Sequence, residues 1–253
     1  MQLAEDFWNF RGSHKIAKII DVGTQMSLVR RASGKFVLLD SFDIDGDERE
    51  TFLTLTNGGA DVEAILNVHP YHTLHCAAVH DAVPHARLIG TLRHRQQIPT
   101  LPWEAGVIED VATQAEFGDI FEFSVPAGVD LYNTADVHVG SVLVRHRKSG
   151  IVHVDDTLNV FAGPGPLEPL LPQSRLKFHP QLAKALQDRP GATEDYANWA
   201  RALADEWAGT RIVCAAHMAI RRLPQGGWRQ ELLKALDDIE STLADHREKH
   251  AKS

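Results

Sequence analysis

The chain has 253 residues, with 26 basic and 34 acidic side chains and a formal net charge of −8 at pH 7. Hydrophobic residues make up 43% and charged residues 24%, which argues against a disordered chain, a collagen-like repeat or a coiled-coil rod and is ample for a packed core. The acidic excess argues against nucleic acid as a main partner.

In chain order, the first half reads mainly as strands. Residues 15–22 and 26–30 are short β-branched or apolar runs. Ala32-Ser33-Gly34 marks a turn, and Phe36-Val37-Leu38-Leu39 then ends abruptly in the carboxylate of Asp40. The acidic loop 43–47 is no calcium loop, because Thr54 stands where the closing glutamate is needed. Residues 64–68 form a short buried strand that leads directly into histidines. Residues 73–83 read as a helix capped by Thr73 and closed by Pro84, and 86–90 as a strand. Residues 95–116 carry prolines at 99 and 102 and fit no regular element.

Residues 120–125, 129–132, 142–146 and 151–154 read as strands, with Lys148-Ser149-Gly150 as a hairpin turn. Gly163-Pro164-Gly165-Pro166 opens a loop that runs to about residue 174. Thr193 is the expected cap of a helix whose apolar face is Tyr196, Trp199, Leu203 and Trp207, with Gly209 as its stop. Residues 211–215 form a strand that runs into His217. A last helix, about 229–248, aligns Leu232, Leu236, Ile239 and Leu243 for core packing or for a homodimer contact, and the polar tail from 246 frays. The order strands, helix, strands, helices occurs in two loose halves divided near 103–118, which suits two sheets packed face to face with helices outside.

Cys76 and Cys214 read as buried thiols in a reducing compartment. The first residues show no basic start followed by an apolar stretch, and no apolar run is long enough to span a bilayer. The expectation is a cytoplasmic protein that does not engage membranes.

Of 14 histidines, six lie between positions 69 and 94, and three recur at every third residue in His69-Pro70-Tyr71-His72-Thr73-Leu74-His75. Imidazoles within one turn of each other can converge on one ion. Three further segments place a histidine or carboxylate beside a strand end: Asp155 and Asp156 after residues 151–154, His138 before Gly140-Ser141, and His217 after residues 211–215. Asp156 could ligate or bridge metals, and Asp155 could do the same or hold a neighbouring loop. His80, His85 and His94 sit on helix or strand faces and read as surface or structural.

Taken together and in this order, the segments over about residues 15–220 resemble the metallo-β-lactamase superfamily. Val37-Leu38-Leu39-Asp40-Ser41 looks like its strand ending in Leu-Ile-Asp-Thr-Gly. The segment His69 to Leu74 falls at its His-x-His-x-Asp-His loop, and His138, Asp155-Asp156-Thr157-Leu158 and His217 fall at its later motifs. The chain departs from the pattern within that loop: Tyr71 stands at the second ligand position, Thr73 at the aspartate and Leu74 at the final histidine, with His72 and His75 one residue further along. The loop is similar to an uncharacterised branch of the superfamily in which it is likewise altered.

The resemblance implies a single α/β domain over 1–253, a four-layer αββα sandwich of two mixed β-sheets. It implies bound zinc, with iron or manganese as alternatives and either one ion or none, and a small-molecule ester, thioester, lactone or phosphoester as substrate. The implied metal set is His69, His72, His75, His138, Asp156 and His217, with Asp156 also catalytic. Thr73 in place of the aspartate puts a second ion in doubt. Two other readings stand beside this hydrolase: a non-catalytic relative using the scaffold as a binding or regulatory module, and a non-haem metal protein of redox or oxygen chemistry. Arg93 and Arg95 are candidates to face an anionic substrate.

Overall fold

A computed structural model describes residues 1–12, 15–16, 20–21, 23–132, 137–160, 175–215 and 220–251. The chain divides into two compact units, Met1–Phe121 and Glu122–Ser253; the boundary falls just past the division expected near 103–118.

In the first unit, β1 (Gln2–Ala4), β2 (Phe7–Gly12), β5 (Thr24–Arg30), β6 (Phe36–Leu39), β7 (Val62–Leu66) and β8 (Arg87–Ile89) lie in that order in one sheet. β3 (Lys15–Ile16) and β4 (Ile20–Asp21) form a separate antiparallel pair where one strand was expected over 15–22. The sheet is antiparallel from β1 to β6 and parallel from β6 to β8. Alternation along β2 and β5 sends Trp8, Phe10, Met26 and Leu28 into an apolar cluster with Phe52 of α1 (Gly46–Leu55) and Val79 of α2 (Cys76–Ala82). The intervening residues are polar and also buried: Asn9 Nδ2 donates to Gln25 Oε1 and to Ser27 Oγ, both at 3.0 Å. Gly12 is required by close approach, since a Cβ there would lie 1.9 Å from the ring of Phe42.

Helix α1 fills a stretch in which only an acidic loop was legible, because Phe52 is its one buried residue and an apolar stripe is missing. Helix α2 begins at Cys76 with His75 as its cap residue. The expected cap, Thr73, lies outside it because residues 69–72 are taken up by a turn.

Strands β6 and β7 pair in parallel, with Leu39 opposite Leu66. Asp40 N–H donates to Leu66 O at 2.8 Å, and there the backbone turns left-handed, with φ +60°, a conformation aspartate tolerates better than most residues. That turn directs the carboxylate at the chain leaving β7: Asp40 Oδ1 accepts from Val68 N–H at 2.8 Å and from His69 N–H at 3.3 Å. All three residues are fully buried.

After β8, Thr91 caps α3 (Leu92–Gln97) through a reciprocal pair of bonds with His94, which orders part of a stretch that had no assignment from sequence. Leu92 N–H donates to Glu109 Oε1 at 3.1 Å. Helix α4 (Val111–Ala115) completes this unit.

In the second unit the sheet order is β15 (Ile220–Arg222), β14 (Ile212–Ala215), β11 (Ile151–Val154), β10 (Leu143–His146) and β9 (Phe121–Ser124), the last beginning at the boundary. Strands β10 and β11 are the expected hairpin, and β11 and β14 are parallel, with Val154 opposite Ala215. Strands β12 (Leu158–Asn159) and β13 (Lys177–Phe178) pair separately. No strand forms over 129–132; a single bridge joins Val129 to Leu186. Helix α5 (Leu182–Ala185) is short.

Helix α6 (Ala192–Glu206) is capped by Gly191, whose φ of +82° starts the helix before the expected Thr193. Thr193 is instead buried and donates to Glu194 Oε2 at 2.9 Å. The last helix is two, α7 (Gly227–Asp238) and α8 (Glu240–Ala251). A turn at Ile239 redirects the chain so that Leu232, Leu236 and Leu243 all reach one core with Trp228, Tyr196 and Leu203. The stripe expected to serve core or dimer therefore packs into this core. The tail, expected to fray from 246, is helical to Ala251. Among the described residues, no helix is long and apolar enough to cross a membrane.

Removing the Asp40 acceptor strands two buried amides, so Asp40→Ala is expected to cost about 2–4 kcal/mol by denaturant unfolding. Asp40→Asn keeps an oxygen acceptor and tolerates the left-handed turn, and should lose less than half as much. Burial pushes the Glu109 carboxyl up to about 6, and its Oε2 has no hydrogen-bond partner among the described residues. The folded state therefore holds a proton that the unfolded chain releases near 4.5, and stability falls as pH rises through 4.5 to 6. Glu109→Gln removes that slope, so its unfolding midpoint should gain on the wild type from pH 4 to pH 7.

Candidate metal centre

Beyond β7 the chain is held before it turns. Asn67 N–H donates to Ile89 O at 2.8 Å, and Asn67 Oδ1 accepts from Ser41 Oγ at 2.8 Å and from Cys76 Sγ at 3.5 Å. Asp40 then takes the amides of Val68 and His69. The two carbonyl and carboxyl acceptors, one from each side chain, leave little freedom at the point where His69 emerges.

His69-Pro70-Tyr71-His72 closes as a turn, with His72 N–H donating to His69 O at 3.1 Å. Proline at the second position suits it, since its ring presets the required φ. The turn stacks the two imidazoles: the His69 and His72 ring centroids are 4.0 Å apart, with planes inclined by 37°. His69 is fully buried and His72 half-buried. Tyr71 N–H donates to His69 Nδ1 at 3.2 Å. With Nδ1 accepting, the neutral ring carries its proton on Nε2, and an ion bound there must displace it. Two adjacent imidazoles of this kind fit a divalent transition ion in donor chemistry.

Neighbouring groups support the turn. His94 Nδ1 lies 2.9 Å from Thr91 Oγ1 and accepts from Thr91 N–H at 3.1 Å, while its Nε2 lies 3.4 Å from His72 O. Burial pushes the His94 imidazole down to about 3, so it is neutral at ordinary pH. The Arg93 guanidinium donates to Pro70 O at 3.0 Å and stacks 4.0 Å from the Tyr71 ring centre. Arg95 donates to Ala105 O at 2.6 Å. Both arginines, candidates for an anionic substrate, are bonded to backbone carbonyls.

Of the expected ligands, the first unit brings His69 and His72 together. It places His75 elsewhere, edge-on to Phe42 at a centroid distance of 5.5 Å. Tyr71, at a ligand position of the family pattern, is buried beneath Arg93, and Leu74 is 72% exposed. In the second unit Asp155 and Asp156 follow β11, both buried. Asp156 has φ +46° and its carbonyl accepts from Asn159 Nδ2 at 2.8 Å. Ser141 Oγ and Thr157 N–H both donate to Asp155 O, and Ser141 N–H donates to Thr157 Oγ1 at 2.8 Å. His138 is exposed. His217 lies outside the described residues.

Sequence reasoning missed Asn67, Ser41, Ser141 and Thr157 as holders of these loops. The available signal is a polar residue flanking an apolar strand, a place where carboxylates and histidines are not the only side chains that act. Cys76 and Cys214 are buried free thiols, and burial pushes Cys76 up to about 12, far from a reactive thiolate.

No family model matches the chain, and no curated protein matches it significantly. Solved structures do. A metallo-β-lactamase from Erythrobacter litoralis with β-mercaptoethanol in its active site is 18% identical, with a TM-score of 0.61 over 95% of each chain. A metallo-β-lactamase from Pontibacter korlensis is 11% identical, with a TM-score of 0.57 over 97% of this chain and 98% of its own. The metallo-β-lactamase FIM-1 from Pseudomonas aeruginosa, in its mono-zinc form, is 10% identical, with a TM-score of 0.57 over 96% and 94%. At these identities the likeness speaks for architecture alone. With two mixed sheets, each carrying its own helices, and neighbours that span nearly the whole chain, this protein has the α/β metallo-β-lactamase fold.

Proposed function

We propose that the chain is a metal-dependent hydrolase built on this fold. The observation that carries the proposal is the stacked pair His69 and His72, held past the end of β7 by the Asp40 carboxylate. His69 and His72 are the primary ligands. Asp156 and His217 are proposed as further ligands from the second unit, with His138 as a weaker candidate. A bound zinc, iron or manganese ion would acidify water to a pKa of about 7 and polarise an ester, thioester, lactone or phosphoester. The other tasks belong to the chain. Asp40 fixes the backbone that presents His69. His94, neutral, holds the carbonyl of His72, and Asp156 is proposed to ligate or to take a proton.

A second reading is a non-catalytic binding module. Tyr71, Thr73 and Leu74 favour it, since they occupy ligand positions of the family pattern and Tyr71 already serves Arg93. Metal analysis separates the two. Protein prepared without chelator or affinity tag should contain stoichiometric zinc, iron or manganese, and His69→Gln with His72→Gln should lose both the ion and any hydrolysis of model esters. Wild-type protein that holds no ion after exposure to each metal would leave only the second reading.

A further inference from the structure

One half-buried carboxyl group stands outside the candidate centre and is joined to it by a short chain of contacts. Glu109 lies between α3 and α4. Its Oε1 accepts from Leu92 N–H, the first amide of α3, at 3.1 Å, and Ile108 N–H beside it donates to Gly90 O at 3.1 Å. These two bonds hold the start of α3. Two residues of α3 then grip the turn that carries the imidazole pair. Arg93 donates to Pro70 O at 3.0 Å and lies over the Tyr71 ring, and His94 Nε2 lies 3.4 Å from His72 O. One short helix therefore separates Glu109 from His72.

Glu109 Oε2 is buried and has no hydrogen-bond partner among the described residues. A neutral carboxyl tolerates that place while its Oε1 accepts from Leu92. A carboxylate there leaves half of its charge on an oxygen that nothing solvates, which drives it toward water. The surrounding charges give no relief. Asp110 adds repulsion, and α4 carries no charged side chain. The two arginines of α3, Arg93 and Arg95, are turned to Pro70 O and Ala105 O, and Glu104 and Glu116 pair with Arg87. We propose that Glu109 is a proton-linked positioning residue of the candidate centre. As a neutral acid it secures α3 and, through it, the His69–His72 turn; as a carboxylate it leaves Leu92 and loosens the turn. This rests on the reading of His69 and His72 as ligands, since what is regulated is how firmly they are presented. The direction follows from where the proton is held. Burial lifts the carboxyl from 4.5 to about 6, so the secured form is fully favoured below 4.5 and is lost as pH rises through 6. The separation of these two values allows at most about a thirtyfold change in the opening equilibrium.

The test is amide hydrogen exchange on full-length, metal-free protein, read at Leu92 and His72 and corrected for the intrinsic exchange rate. It is read where both exchange faster than the amides of β5, so that the opening is local. In the wild type, protection at both amides should fall about tenfold between pH 4.5 and pH 7.5. In Glu109→Gln, which keeps the shape and an oxygen acceptor, that fall should be absent. Comparing the two proteins removes whatever the histidines of the turn contribute by their own titration. A difference between them at Leu92 but not at His72 would place the effect in α3 alone and overturn the proposal, as would the same fall in both proteins or no fall in the wild type. Should Glu109→Gln fail to fold, Glu109→Met takes its place. Having no group to titrate, it must lack the wild-type fall at His72, whatever its starting level, and an equal fall there overturns the proposal. With neither ion nor substrate present, a failure here leaves the hydrolytic reading intact, and a protein that holds no ion still shows or lacks this coupling.

Discussion

The bonds from the Val68 and His69 amides to the carboxylate of Asp40 hold the candidate centre in place. A parallel strand that ends inside the protein leaves backbone donors with nowhere to go, and such donors are costly unless paired. Here the neighbouring strand supplies the acceptor from its own last turn. The left-handed backbone at Asp40 is the local strain that aims the carboxylate. The register of β6 against β7 places Asp40 level with the chain leaving Leu66. A slip of one residue would break both amide bonds and turn every side chain of the strand to the opposite face.

The histidine spacing becomes intelligible from this anchor. In an extended segment, residues two apart share a side, as in a His-x-His loop. In a turn closed between its first and fourth residues, residues three apart are brought together instead. This chain has both changes at once: the histidines are three apart, and the backbone from His69 to His72 is a proline-containing turn. The one-residue displacement and the altered backbone compensate, which is why His69 and His72 stack. His75 falls outside the turn, at the start of α2, and finds Phe42.

Much of the architecture was legible because strongly patterned segments leave few choices. The apolar runs at β6, β7, β11 and β14 are bracketed by turn residues, and each appears within a residue or two of expectation. Less legible elements owe their order to contacts distant in sequence. β2 alternates Trp8 and Phe10 with a buried asparagine whose partners lie in β5, so a half-polar segment becomes a central strand. α1 has one buried side chain, and no periodicity announces it. The start of α6 was misplaced because a capping threonine is a common signal, whereas Gly191 acts through a φ that no side-chain pattern reveals. The chemistry was legible to a similar depth. Strand-end carboxylates and histidines stand out in a sequence, but Asn67, Ser141 and Thr157 act through bonds that only the fold creates.

The departures from the family pattern also bear on how many ions the proposed centre could hold. Within 69–75 the donors are imidazoles alone, and the position of the family aspartate is Thr73. Tyr71 cannot take that role while its ring is buried under Arg93, and Leu74 has no donor to offer. Asp40 Oδ1 already accepts two amides, and drawing it onto an ion would release the backbone that positions His69. A second ion would thus compete with the anchor on which the first depends. The donor inventory of this loop therefore leaves His69 and His72 as the fixed part of the proposed centre.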